Sequence, residues 1–93
     1  MKEKLLKIIQ HYGINKQLKY IHSEYYELDE AIFDYITRDE NRYKDREHIA
    51  EEIADVMVML KQFQYYYGIS DEQIEEIMNY KIDRQLDRIS EEK

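Results

Sequence analysis

Glu24 and Glu27 stand three residues apart in this sequence, and so do Glu52 and Asp55. On an α-helix that spacing puts two side chains on one face, so each pair would offer two carboxylates side by side. Laying Ile21–Ile32 over Ile49–Leu60 pairs Glu24 with Glu52 and Glu27 with Asp55. The same overlay matches Ile21 with Ile49, Tyr25 with Ile53, Leu28 with Val56 and Ile32 with Leu60. Each acid pair therefore lies on the shoulder of an apolar stripe, about 60° and 120° round from the leading Ile. If the two stripes pack face to face as antiparallel neighbours, four carboxylates close on one groove. Protons or cations must then neutralise them. Oxygen ligands at this density suit Mg²⁺ or Mn²⁺ better than Zn²⁺. Any one acid alone fits a solvated helix face; the matched phase of both pairs favours a shared metal site at Glu24, Glu27, Glu52 and Asp55.

The elements that would position these acids are helical. The chain has no Pro and two Gly among 93 residues, which favours long helices and an all-α class. Leu5, Leu6, Ile8, Ile9 and Tyr12 predict a first helix over about Lys2–Tyr12, with Gly13 at its C′ position. Leu18, Ile21, Tyr25, Leu28, Ile32 and Tyr35 predict a second, from an Asn15 N-cap to about Thr37. Residues 38–46 are nearly all polar or charged and predict an exposed connection, with Asp45 as the next N-cap. A third helix over about Arg46–Tyr67 follows from Ile49, Ile53, Val56, Leu60 and Phe63, closed by Gly68. Ser70-Asp71-Glu72-Gln73 has capping-box spacing, with Ile69 and Ile74 as a hydrophobic staple. It predicts a fourth helix from Asp71 to about Ser90, with the last three residues frayed.

These expectations make residues 1–93 a single domain, a four-helix bundle. Val56-Met57-Val58-Met59-Leu60 is apolar all round, and Ala50, Ala54, Val58 and Tyr65 form a second stripe on helix 3. In a lone bundle that face would be polar, so the bundle is expected to be completed by homo-oligomerisation, most simply as a dimer.

The formal net charge of −7 disfavours nucleic acid, whose phosphates call for clustered Lys and Arg. There is no Cys, hence no disulfide or thiolate site, which suits a reducing cytoplasm. No apolar run is long enough for a signal peptide or a membrane span. The expected setting is cytoplasmic, with no membrane partner. The ten Tyr fit amphipathic packing better than base stacking. His11, His22 and His48 lack ligand spacing, and neither acid pair has the Glu-x-x-His form of a di-iron bundle.

Glu24-Tyr25-Tyr26-Glu27-Leu28 and Glu51-Glu52-Ile53-Ala54-Asp55-Val56 resemble the MazG-type all-α nucleoside triphosphate pyrophosphohydrolases. That family is marked by Glu-x-x-Glu on one helix and Glu-Glu-x-x-Asp on the next. The resemblance spans most of the chain, as in short, phage-like members. It departs at Ser23, where many members have Glu, and at Met59, where some have Tyr. It implies Mg²⁺-dependent attack of water between the α- and β-phosphates of a nucleoside triphosphate, releasing monophosphate and pyrophosphate in nucleotide-pool house-cleaning. Glu24, Glu27, Glu52 and Asp55 would hold the ions, and one of them, or Glu51, would accept the proton of the water. Lys81, Arg84 and Arg88 match the family's basic last helix and would grip the outer phosphates; they also suit a helix C-terminus without any ligand. The alternative is a weakly active or inactive MazG-like module that binds nucleotide or metal in a regulatory or structural role.

Overall fold

A computed structural model describes residues 1–37 and 42–92 as four helices with no strand. They are α1 (Lys2–Tyr12), α2 (Ile14–Thr37), α3 (Arg42–Tyr66) and α4 (Asp71–Glu91). The expected all-α class and the four expected helices are present. Residues 38–41 of the expected connection, and Lys93 at the frayed end, lie outside the described residues.

Two helix starts differ from expectation. Gly13 alone separates α1 from α2; its φ of 88° is one that L side chains rarely adopt. Its N–H donates to Ile9 O at 2.8 Å and its carbonyl accepts from Gln17 N at 3.1 Å. Gly13 thus ends one helix and supplies the first carbonyl of the next, which places Asn15 inside the first turn of α2 rather than at its cap. Helix α3 begins at Arg42, so Asp45 lies within it instead of capping it. Residues 42–46 are polar and read as a connection, but polar side chains are no obstacle to the first turn of a helix.

The end of α3 follows the sequence closely. Ile69 N donates to Gln64 O and Gly68 N to Tyr65 O, both at 3.0 Å, with Gly68 at φ 70°. This is a Schellman ending with Gly68 at C′. Ser70 Oγ accepts from Gln73 N at 3.1 Å, so Ser70 caps α4 as its spacing predicts.

Packing is confined to three helices. Helices α2 and α3 run antiparallel along a long seam, and α1 lies across their Gln17 and Gln62 end. Ile9 of α1 is 0 % exposed, which contributes about 1.5–3 kcal/mol relative to an exposed side chain. Leu5, Ala31, Val56, Met59 and Tyr65 complete the apolar core, and Gln17, Glu52, Gln62 and Gln64 are buried with them.

The seam is in part the one expected. Of the matched aliphatic stripes, Val56 is buried and Ile21, Leu28 and Ile49 are half-buried, whereas Tyr25, Ile32, Ile53 and Leu60 are exposed. Helix α2 instead presents Gln17, Tyr20, Glu24, Glu27 and Ala31, and α3 presents Gln62, Met59, Asp55, Glu52 and His48. Both series advance in alternating steps of three and four residues, so they stack as layers across the antiparallel pair. Gln17 Nε2 donates to Gln62 Oε1 at 2.8 Å in the first layer. A one-position rotation of either helix would strand two buried amides, each loss costing about 1–3 kcal/mol.

Helix α4 buries none of its residues and packs on none of the other helices, so one chain does not close a four-helix bundle. It is held at its first residue. Asp71 accepts from Lys61 Nζ (2.7 Å), Gln64 Nε2 (2.8 Å) and Tyr65 Oη (2.9 Å). Those donors hold its carboxyl down at about 2, the Lys61 bond first among them. A depressed acid stabilises the fold above its unfolded value of about 3.9, and the contribution is lost as pH falls towards the folded value. Asp71→Ala should lower the melting temperature at neutral pH and speed amide exchange over residues 64–75. The difference from the parent protein should close between about pH 4 and pH 2; a pH-independent difference would mean that Asp71 acts by packing alone.

Candidate metal centre

The middle layers of the α2–α3 seam carry the acids. One carboxylate oxygen from each of Glu24, Glu52 and Asp55 lies within 4.8 Å of the others. Glu52 is 9 % exposed, Glu24 partly buried and Asp55 exposed, so the group runs from the core to the surface. Its local cause is the three-residue spacing within each pair together with the register set at Gln17 and Gln62.

Glu24 Oε2 and Glu52 Oε2 are buried and receive no hydrogen bond from any described residue. A buried carboxylate oxygen without a donor carries its full desolvation cost. Burial is the main reason that Glu24 is pushed above the usual carboxylate range, with Glu27, Asp55 and Glu52 adding repulsion and a hydrogen bond from Tyr20 opposing it. Glu52 is pushed up in the same way, by burial first and then by Glu27, while His48 opposes the shift. The donor set, three carboxylates of which two carry an unsatisfied buried oxygen, fits a divalent cation such as Mg²⁺ or Mn²⁺.

Of the sequence-derived ligands, Glu24, Glu52 and Asp55 converge. Glu27 does not join their group: it is exposed, yet close enough to raise both Glu24 and Glu52. Glu51 is exposed and acts on the group only through its charge on Glu52. Lys81, Arg84 and Arg88 are not brought to the acids; they lie exposed on α4, which packs on neither α2 nor α3, and make no ion pair among the described residues.

Sequence reasoning passed over two neighbours. His48 Nε2 lies 3.8 Å from Glu52 Oε1. It lines a cavity of about 370 Å³ with Glu27, Glu30, Ala31, Asp34 and Glu52. Tyr20, in the adjacent layer, acts to lower the raised Glu24. The available signal was spacing: His48 stands four residues before Glu52, and Tyr20 four before Glu24.

Raised acids give a stability that is full below the unfolded pKa and lost as pH rises through the folded value. The metal-free protein should therefore melt at a higher temperature near about pH 5 than near about pH 8. Mg²⁺ or Mn²⁺ should raise the melting temperature, and more so at the higher pH, where protons no longer compete. Asp55→Asn should abolish the metal response and Glu27→Gln only weaken it; an equal response in parent and Asp55→Asn proteins would remove the site. No protein-family model, curated protein or solved structure matches this chain.

Proposed function

We propose that this protein is a Mg²⁺-dependent nucleoside triphosphate pyrophosphohydrolase of the MazG type, releasing a nucleoside monophosphate and pyrophosphate. The observation that carries the reading is the pair of orphaned, buried oxygens of Glu24 and Glu52, grouped with Asp55 across two antiparallel helices. The motif resemblance of the same residues supplies the reaction. Mg²⁺ held there would offset phosphate charge and make water a better nucleophile at neutral pH. Glu24, Glu52 and Asp55 supply its oxygen ligands. Glu27, exposed beside them, would take the proton of the attacking water, and Glu51 is the second candidate. Tyr20 and His48 orient Glu24 and Glu52 and limit their swing.

The same reading includes a homo-oligomer, most simply a dimer, but on other faces than the expected second stripe of α3. Tyr65 of that stripe is buried within the chain, and its Ala54 and Val58 line a cavity with Leu5 of α1. Ile77, Met78, Ile82, Leu86 and Ile89 of α4 are all exposed, as are Tyr25 and Ile32 of α2 and Ile53 and Leu60 of α3. A groove of about 490 Å³ between α3 and α4 is lined by Met57, Leu60, Ile74 and Met78. A second copy covering these faces would gain about 25 cal/mol for each Å² of apolar surface removed from water. It would also give Lys81, Arg84 and Arg88 a route to the phosphates from the partner's α4.

Product chromatography tests the reaction. Nucleoside triphosphates with Mg²⁺ should give monophosphate and pyrophosphate, and Glu52→Gln should lower kcat by at least about a hundredfold. Metal binding without turnover of any nucleotide would leave the inactive module as the better reading. Light scattering should show a dimer that Ile82→Asp dissociates; a compact parent monomer at micromolar concentration would overturn the oligomer.

A further inference from the structure

The first seam layer holds chemistry that the metal centre does not use. Gln17 and Gln62, on different helices, are 5 % and 1 % exposed. Their mutual bond uses one donor of Gln17 and one acceptor of Gln62. No described residue donates to Gln17 Oε1, and the Gln62 amide otherwise meets only the Met59 sulfur, at 3.7 Å. A weak sulfur acceptor leaves that N–H underused. One spare acceptor and one spare donor thus stand beside each other in a largely apolar surrounding.

They line a cavity of about 390 Å³, within the size range of small-molecule pockets. Tyr12 and Tyr20 form its other walls, each about half exposed, and Lys16 Nζ lies 5.0 Å over the Tyr12 ring. Exposed aromatic faces suit stacking with a flat ring, and a neighbouring donor and acceptor suit the polar edge of that ring. The cavity is continuous with the seam: Tyr20, in its wall, stands four residues before Glu24 on α2, and Met59 stands four after Asp55 on α3. From Gln17 to Glu24, as from Gln62 to Asp55, is two helical turns, about 10 Å. A nucleoside spans such a distance between the phosphate on its sugar and the far edge of its base.

We infer that this cavity is the nucleobase pocket, with the base between Tyr12 and Tyr20 and its polar edge on the Gln17–Gln62 amide pair. This rests on the nucleotide reading above, and it adds that selectivity among bases is set by these two amides. Tyr12 and Tyr20 give affinity without choice, since every base has a stacking face. The amides give choice, because a base with the wrong edge leaves buried polar groups unpaired.

The first test needs no turnover. Nucleoside monophosphates are titrated into the ¹⁵N-labelled parent protein without metal, and the side-chain amide resonances are followed. Those of Gln17 and Gln62 should shift with at least one base and not with ribose 5-phosphate. Shifts that track protein concentration alone would give the cavity to a second copy and overturn the inference, as would no shift with any of the bases. In the second test Gln17→Met/Gln62→Met removes both amides at nearly constant volume and leaves neither orphaned. With the buried Ala31 and Met59 still packed in the seam, it should keep the metal-induced rise in melting temperature and flatten the kcat/KM preference among bases by about tenfold or more. An unchanged preference in the folded variant overturns the pocket and leaves the pyrophosphohydrolase standing. Absent hydrolysis by the parent, with the amide shifts present, does the reverse.

Discussion

The register between α2 and α3 is the constraint on which the molecule depends. Among the described residues the hydrogen bond from Gln17 to Gln62 spans the seam, and with the buried Ala31 and Met59 it favours one rotation of each helix about its axis. Every later layer follows from that setting, because both helices advance in steps of three and four. The bond is worth little as net energy, about 1 kcal/mol. Its weight lies in the alternatives it penalises, since any other rotation buries the amides unpaired. A buried polar pair that selects one packing among several is the best-attested use of such groups.

The register sets the acids against the fold. A three-helix assembly of this size has a small core, and two of its central layers are carboxylates. Glu52 sits where an aliphatic residue would add stability, and its neighbours Glu27 and Asp55 repel it. One edge of each aliphatic stripe, with Ile53 and Leu60 on α3 and Tyr25 and Ile32 on α2, faces outward instead. Stability is given up at the site and apolar surface is left outside, as expected where a function dictates the packing.

Much of this was legible in the sequence. The helix ends at Gly13, Gly68 and Ser70 follow from residue chemistry that acts within one turn. Their geometry agrees with the sequence reading. The convergence of Glu24, Glu52 and Asp55 follows from matched spacing on two helices. What the sequence did not show was how far the seam is rotated from each aliphatic stripe towards the acids. Periodicity identifies a helix and its candidate faces, and α2 carries two, one aliphatic and one polar, offset by part of a turn. Which faces inward depends on the Gln17–Gln62 pairing, a contact between residues 45 apart, and no local pattern announces it. The position of α4 was illegible for a related reason: its apolar stripe shows that it needs a partner, not whether that partner belongs to the same chain.

The elbow at Asp71 has a mechanical side. Three donors from α3 converge on one carboxylate at the first residue of α4, and the 20 residues beyond it have no packing against the other helices. A helix of 21 residues is about 30 Å long, so α4 is a stiff lever pivoting on a single fulcrum. A tilt of about 10° at Asp71 would carry its tip through about 5 Å. In a single chain, small shifts of Lys61 or Tyr65 would thereby be magnified at Arg88, and a second copy seated on α4 would fix the far end of the lever.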